Sequence, residues 1–136
     1  MSICKSQDGG IQVARILLVD DEPEMRFITR RMLEKAGHSV VEACSGEECL
    51  ARLEEELPDL ILLDVMMPGD DGWEVCRKIK ARERTRSIPV VMFTVRTEEE
   101  DIEESATSGA DAHINKPFER EELLGVIDRI LGRGVV

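Results

Sequence analysis

Five residues have the types and spacing to do chemistry together: Asp20, Asp21, Asp64, Thr94 and Lys116. Each falls at the carboxyl end of a short apolar run. Residues 15–19 lead into Asp20-Asp21, 59–63 into Asp64 and 88–93 into Thr94, and 111–114 is followed by Lys116-Pro117. Three carboxylates converging on one pocket repel each other. A hard divalent cation with a preference for oxygen, Mg²⁺, is the usual remedy; it keeps several waters and commonly shares a phosphate with one or two carboxylates. A lysine acting as a point charge and a hydroxyl acting as a donor would complete a site for a phosphoryl group. Such a set needs little covalent machinery, because phosphoryl transfer is mostly positioning and charge neutralisation. Taken singly, each residue has a plainer reading: Asp20-Asp21 as helix caps, Asp64 as a turn cap, Thr94 as a strand end, Lys116 as a solvated side chain. The order acid-acid, acid, hydroxyl, lysine is what is specific.

The elements that must position these residues alternate five times between strand and helix. Strands are expected at 15–19, 39–43, 59–63, 88–93 and 111–114. The first helix, 22–36, has Met25, Ile28, Met32 and Leu33 at helical spacing, Pro23 in its first turn and Gly37 past its end. Ser45 with Glu48 forms a capping box for a helix to Glu55, and Thr97 with Glu100 forms another for a helix to Ser108. Residues 71–81 and 118–131 supply the remaining helices, with Val75, Cys76 and Ile79 on one face of the former. Met67-Pro68-Gly69 is a turn, and 82–87 a charged loop. The strands are continuously apolar, as strands buried on both faces are. The expectation is a doubly wound α/β domain with right-handed crossovers. In such sheets ligands bind beyond the carboxyl ends of the strands, where the strand order reverses. A reversal between the first and third strands would bring the three aspartates together.

Composition narrows the function. The chain has 136 residues, which suits one domain. Lys and Arg total 18 against 29 Asp and Glu, a net charge of −11, which repels nucleic-acid backbones and anionic membranes. Only Phe27, Trp73, Phe93 and Phe118 are aromatic, too few for a base-stacking platform. No apolar run approaches the ~20 residues that span a bilayer, and Met1 to Gly10 has no apolar signal core. A cytoplasmic protein without direct nucleic-acid or membrane binding is expected. Cys4, Cys44, Cys49 and Cys76 form no C-x-x-C pair, so zinc and redox motifs are unsupported. Residues 1–13 read as a flexible N-terminal segment, 14–132 as the domain and 133–136 as a tail.

The sequence resembles the receiver domain of two-component response regulators, of the single-domain chemotaxis type. The resemblance rests on Leu-Leu-Val-Asp-Asp-Glu-Pro (17–23), Leu-Leu-Asp-Val-Met-Met-Pro-Gly (62–69), Val-Met-Phe-Thr (91–94) and Gly-Ala-Asp-Ala-His-Ile-Asn-Lys-Pro-Phe (109–118). It covers about residues 15–131 and implies a flavodoxin-like sheet of five parallel strands in order 2-1-3-4-5, flanked by five helices. It implies that Asp64 is the phosphoacceptor for the phosphohistidine of a sensor histidine kinase or phosphotransfer protein. Asp21 and Asp64 would ligate Mg²⁺ directly, Asp20 through water, and the Met66 backbone carbonyl would be a further ligand. Lys116 would bind a phosphoryl oxygen, and Thr94 would follow the phosphoryl group as a switch. Pro117 resembles the family proline often preceded by a cis peptide. The protein would promote its own phosphorylation and dephosphorylation without being an enzyme in the ordinary sense. It would signal to a downstream protein through the face of fourth helix, fifth strand and fifth helix, as a monomer or a phosphorylation-dependent dimer.

Several positions depart from the family pattern. His113 stands where the family has Tyr or Phe, a ring that moves with the threonine; a His there would make signalling pH-sensitive, unless it is simply half-buried. Val95 replaces a smaller residue and either narrows access to the phosphoryl group or packs outward. Met66 and Arg96 occupy positions that tune self-hydrolysis, and Met66 cannot activate a water, so a long-lived phosphoryl group is expected. The acidic run 98–104 is either a solvated helix start or an output surface for a basic partner. Arg26, Arg30 and Arg31 lie on the helix where family members meet the kinase, or form an ordinary solvated face. Two other readings are weaker, and a third concerns context. A haloacid dehalogenase-type phosphatase would place its nucleophile on the first strand as Asp-x-Asp. A phosphorylation-independent scaffold would not need the intact acid, hydroxyl and lysine set. The chain could also be the receiver segment of a larger protein.

Overall fold

The computed structural model describes residues 14–67, 70–94, 109–115 and 118–132. Five strands form one parallel sheet: β1 (Arg15–Val19), β2 (Ser39–Ala43), β3 (Leu60–Asp64), β6 (Val90–Thr94) and β7 (Ala112–Asn115). Their order is β2-β1-β3-β6-β7, the doubly wound order expected from the sequence, with the reversal at β1. The helices are α1 (Pro23–Lys35), α2 (Gly46–Glu55), α3 (Gly72–Ala81) and α4 (Arg120–Ile130). Four helices stand among the described residues where five were expected. The helix expected at 97–108 lies outside them, as does the acidic run 98–104.

The continuous apolar runs are explained by two cores. Alternate residues of each strand face opposite sides. Ile16, Leu18, Leu60, Leu62, Val91 and Phe93 pack with Leu33 of α1 and Leu123 and Ile127 of α4. Leu17, Val19, Ile61, Leu63, Val90 and Met92 pack with Cys49 and Leu53 of α2 and Val75, Cys76 and Ile79 of α3. Every residue of β3, the central strand, is buried, whereas the edge strands β2 and β7 are partly exposed.

The strand bounds move by a residue or two for local reasons. β3 begins at Leu60 because the Asp59 carboxylate instead accepts from the Arg15 backbone N–H at 2.8 Å. β6 begins at Val90, after a proline that cannot donate to the ladder. β7 begins at Ala112 because Asp111 works as a side-chain plug. Its Oδ2 accepts from the Val90 N–H at 2.8 Å and from Lys80 Nζ at 2.9 Å. α4 begins at Arg120, because Phe118 stays in the preceding loop and stacks on Phe93 with ring centroids 5.2 Å apart.

On α1 the core-facing residues are Thr29 and Leu33, and the expected Ile28 is 46% exposed. The Ser45 hydroxyl accepts from the Glu48 N–H at 3.0 Å, as the capping box requires. Glu48 reaches one residue further back, to the Cys44 N–H at 2.8 Å. The sequence did not show the two-residue antiparallel ribbon of β4 (Met66–Met67) and β5 (Asp70–Asp71). It brackets the expected turn, whose Pro68 and Gly69 lie outside the described residues.

Candidate metal and phosphoacceptor site

β1 and β3 are neighbours in parallel register, Val19 opposite Leu63, so the next residues of both strands emerge side by side. Those residues are Asp20 and Asp64. With Asp21, each offers a carboxylate oxygen, and these atoms all lie within 4.8 Å of one another. Asp20 is fully buried and Asp64 is 6% exposed, while Asp21 is half-buried toward the opening. Burying carboxylates this close together costs free energy unless a cation or hydrogen-bond donors compensate.

The local backbone fixes the two buried acids. Asp20 donates its N–H to the Ala43 carbonyl of β2 at 3.1 Å. Its Oδ1 accepts from the Glu22 N–H at 2.9 Å, a turn bond leading into α1 rather than a helix cap, since the N-cap position is Glu22 and carries no side-chain cap bond. Its carbonyl accepts from Arg26 Nη1 at 2.8 Å. After Asp64, the Val65 N–H donates to the Phe93 carbonyl at 2.9 Å, tying the end of β3 to β6. The Val65 carbonyl in turn accepts from the Gly72 N–H at 2.9 Å. Asp71 caps α3, its Oδ1 accepting from the Trp73 N–H at 3.0 Å.

An all-oxygen set of three carboxylates is the chemistry a hard divalent cation takes. An octahedral Mg²⁺ with bonds of ~2.1 Å needs ligand oxygens about 3–4 Å apart. The three side chains each bring an oxygen within 4.8 Å of the others, so a single cation can lie between them. Asp20, Asp21 and Asp64 could therefore hold a metal.

Other expected site residues are only partly placed. Thr94 ends β6 and pairs in register with Asn115. Lys116, Pro117, Val95 and Arg96 lie outside the described residues, as does the Thr94 side chain. Met66 stands in β4, two residues beyond Asp64. His113 is exposed on the edge strand β7 rather than half-buried.

Two features escaped the sequence reading. Gly72 is required by close packing: a Cβ there would lie 2.3 Å from the Asp64 carbonyl oxygen and 2.7 Å from Val65 Cα. A glycine placed in the first turn of an amphipathic helix is the signal that could have found it. Arg26 and Arg30 are not a freely solvated face. Arg26 Nε donates to Glu42 Oε1 at 2.7 Å, and Arg30 Nη1 donates to Glu42 Oε2. Burial pushes the Glu42 carboxyl up, but the hydrogen bonds from Arg26 and Arg30 outweigh it and hold the group below its ordinary range. Arg31 stands instead over Phe27, its guanidinium 5.7 Å from the ring centroid.

Comparison with known proteins agrees with this geometry. Residues 16–128 match the family model for the response regulator receiver domain. The chain is 41% identical over 119 residues to the transcriptional regulatory protein AfsQ1 of Streptomyces coelicolor, covering 88% of this chain and 52% of that protein. It is 37% identical over 119 residues to the protein PilH of Pseudomonas aeruginosa, covering 88% of this chain and 98% of that one. The chain thus spans about half the length of AfsQ1 and nearly all of PilH. The crystal structure of the receiver domain of the sensor histidine kinase PA1611 from Pseudomonas aeruginosa superposes with a TM-score of 0.82. It is 30% identical, covers 89% of this chain and 99% of that one, and carries a magnesium ion coordinated in its active site cleft. Among the described residues of the present chain, no helix is long and apolar enough to cross a membrane. This chain belongs to the response regulator receiver domain family.

Proposed function

We propose that this chain accepts a phosphoryl group on Asp64 in a Mg²⁺-dependent reaction and passes the signal to a protein partner. The observation that carries this reading is the convergence of Asp20, Asp21 and Asp64 at the ends of adjacent strands. One Asp64 carboxylate oxygen attacks phosphorus, the bond to the imidazole nitrogen of a sensor histidine kinase or phosphotransfer protein breaks, and an acyl phosphate forms. Asp20, Asp21 and Asp64, with the Met66 carbonyl, would hold Mg²⁺, which when bound would supply positive charge to offset the negative charge on the phosphoryl oxygens. Lys116 binds a phosphoryl oxygen, and Thr94 donates to another and moves with it. Thr94 and Asn115 are register partners, so movement at the end of β6 bears directly on β7, where His113 stands. His113 takes the place of the family's switch ring. The output face is the one built on β7 and its flanking helices.

The entry of the kinase is the exposed face of α1. Phe27 is 59% and Ile28 46% exposed, flanked by Pro23 and Arg31. Two adjacent apolar side chains in water, on the helix that follows Asp20-Asp21 in the chain, suit a transient helical partner.

Intact-mass measurement after incubation with Mg²⁺ and a small phosphodonor, repeated with a phosphorylated histidine kinase, tests the reading. One added phosphoryl group is expected in the wild type, none in Asp64→Asn and none after chelation. Failure with both donor types would refute it.

A further inference from the structure

We propose that Arg26 and Glu42 form a positioning pair that sets the Mg²⁺ affinity of the carboxylate pocket. Neither residue ligates the metal, and the inference rests on the Mg²⁺ reading above. Arg26 lies in the first turns of α1 and uses two edges of its guanidinium. Nη1 donates to the Asp20 carbonyl at 2.8 Å and Nε to Glu42 Oε1 at 2.7 Å. Glu42 stands on β2, opposite Leu18 in register, and Arg30 takes its second oxygen. The pair is well sheltered, with side chains only 20% and 27% exposed. It ties helix, edge strand and the end of β1 together at one point, the main chain of Asp20.

That placement has two consequences. The Asp20 peptide is held from both sides, by Arg26 at its carbonyl and by Ala43 at its N–H, so both adjacent metal-binding acids leave the backbone in fixed directions. A bare guanidinium beside the pocket would also oppose a cation through space. Glu42 cancels that charge while aiming the fork. Arg26 thus anchors the pocket without lowering its affinity for Mg²⁺. Partners one shell out from a metal site typically govern affinity by 10–100-fold.

The test is Mg²⁺ titration of the whole chain, read by calorimetry and by fluorescence of Trp73, the single tryptophan, in the first turn of α3. Glu42→Gln and Arg26→Gln are each expected to weaken Mg²⁺ binding roughly tenfold. The double variant is expected to be no weaker than the weaker single, because the two act as a unit. Arg30→Gln touches Glu42 but not Asp20, and is expected to stay within about twofold of the wild type. Thermal melts without Mg²⁺ establish that each variant folds. Where Arg26→Gln does not fold, Arg26→Lys carries the test, since it keeps the charge and loses the two-edged fork. Unchanged affinity in Glu42→Gln and Arg26→Gln overturns the proposal, as does an equal loss in Arg30→Gln or strict additivity in the double variant. No Mg²⁺ binding by the wild type would overturn the metal reading itself, and this pair's role with it.

Discussion

Gly72 packs directly against the carbonyl of Asp64. A methyl group there would lie 2.3 Å from that oxygen, so the first turn of α3 can sit against Asp64 only while position 72 has no side chain. Backbone, rather than a flexible side chain, is on the other side of this contact, so no rotamer change relieves it. Gly72→Ala is expected to destabilise the fold by about 2 kcal/mol or more, lowering the melting temperature by on the order of 5–10 °C. It should also slow Asp64 phosphorylation, because relief requires shifting the Asp64–Val65 main chain. A melt within about 1 °C of the wild type would contradict this.

The Phe93–Phe118 stack ties the end of β6 to the loop that follows Lys116. The rings are 5.2 Å apart and 15° from parallel. Phe93 is fully buried and pairs in register with Ile114 on one side and Asp64 on the other. Phe118→Ala is expected to cost about 2–3 kcal/mol, and Phe118→Leu to recover about half of that in urea denaturation. If Phe118 also holds the Lys116 loop, phosphorylation of the folded Phe118→Ala variant slows relative to Phe118→Leu. Equal rates in the two variants would confine Phe118 to packing.

The sheet was legible because its strands announce themselves: both parities of Ile16 to Val19 and Leu60 to Leu63 are apolar, and both faces are covered. The three acids were legible for the same reason, since each ends such a run. What the sequence hid is long-range. Arg26, Arg30 and Arg31 look alike along α1, and only the fold shows that Glu42 on β2 captures the first two. Ile28 fits the helical spacing as well as Leu33 does, yet α1 meets the sheet along Thr29 and Leu33 and leaves Ile28 exposed. Phe118 had helical neighbours on its C-terminal side, and tertiary stacking on Phe93 kept it out of α4.

Glu42 should also mark the acid limb of stability. Its carboxyl sits below its ordinary range, because the Arg26 and Arg30 hydrogen bonds overcome the upward push of burial. A group depressed in the folded state stabilises above its unfolded value, about 4.3, and loses that contribution as pH falls through the folded value. The stability gap between wild type and Glu42→Gln, measured by urea denaturation without Mg²⁺, should therefore be constant near neutrality and shrink below about pH 4. A gap that is independent of pH down to 3 would show that the pair contributes only neutral packing.

The cysteines should differ sharply in reactivity. Cys49 is fully buried, and burial pushes its thiol up to about 12. Cys76 is buried among the residues under α3, while Cys44 is exposed at the end of β2. The Glu48 carboxylate beside Cys44 accepts its hydrogen bond and raises its pKa, which suppresses the reactive thiolate. Native alkylation followed by peptide mapping should label Cys44 slowly and spare Cys49 and Cys76. Glu48→Gln should accelerate Cys44 labelling several-fold. Labelling at Cys49 before unfolding would contradict the packing of α2.

His113 gives the most direct test of the proposed switch. It is exposed on the edge strand β7, while its neighbour Ile114 is buried, so its ring has room to change place when the end of β6 moves. The chain has only two histidines, and the other, His38, is buried with its Nδ1 accepting the Ala14 N–H at 3.3 Å. In a proton NMR spectrum the two imidazoles are thus distinguishable, with His38 as the internal reference. Phosphorylation is expected to shift the His113 ring resonance and to leave His38 nearly unmoved. Asp64→Asn should abolish the change. Identical His113 ring resonances with and without phosphorylation would remove His113 from the switch and leave Thr94 to act without a ring partner.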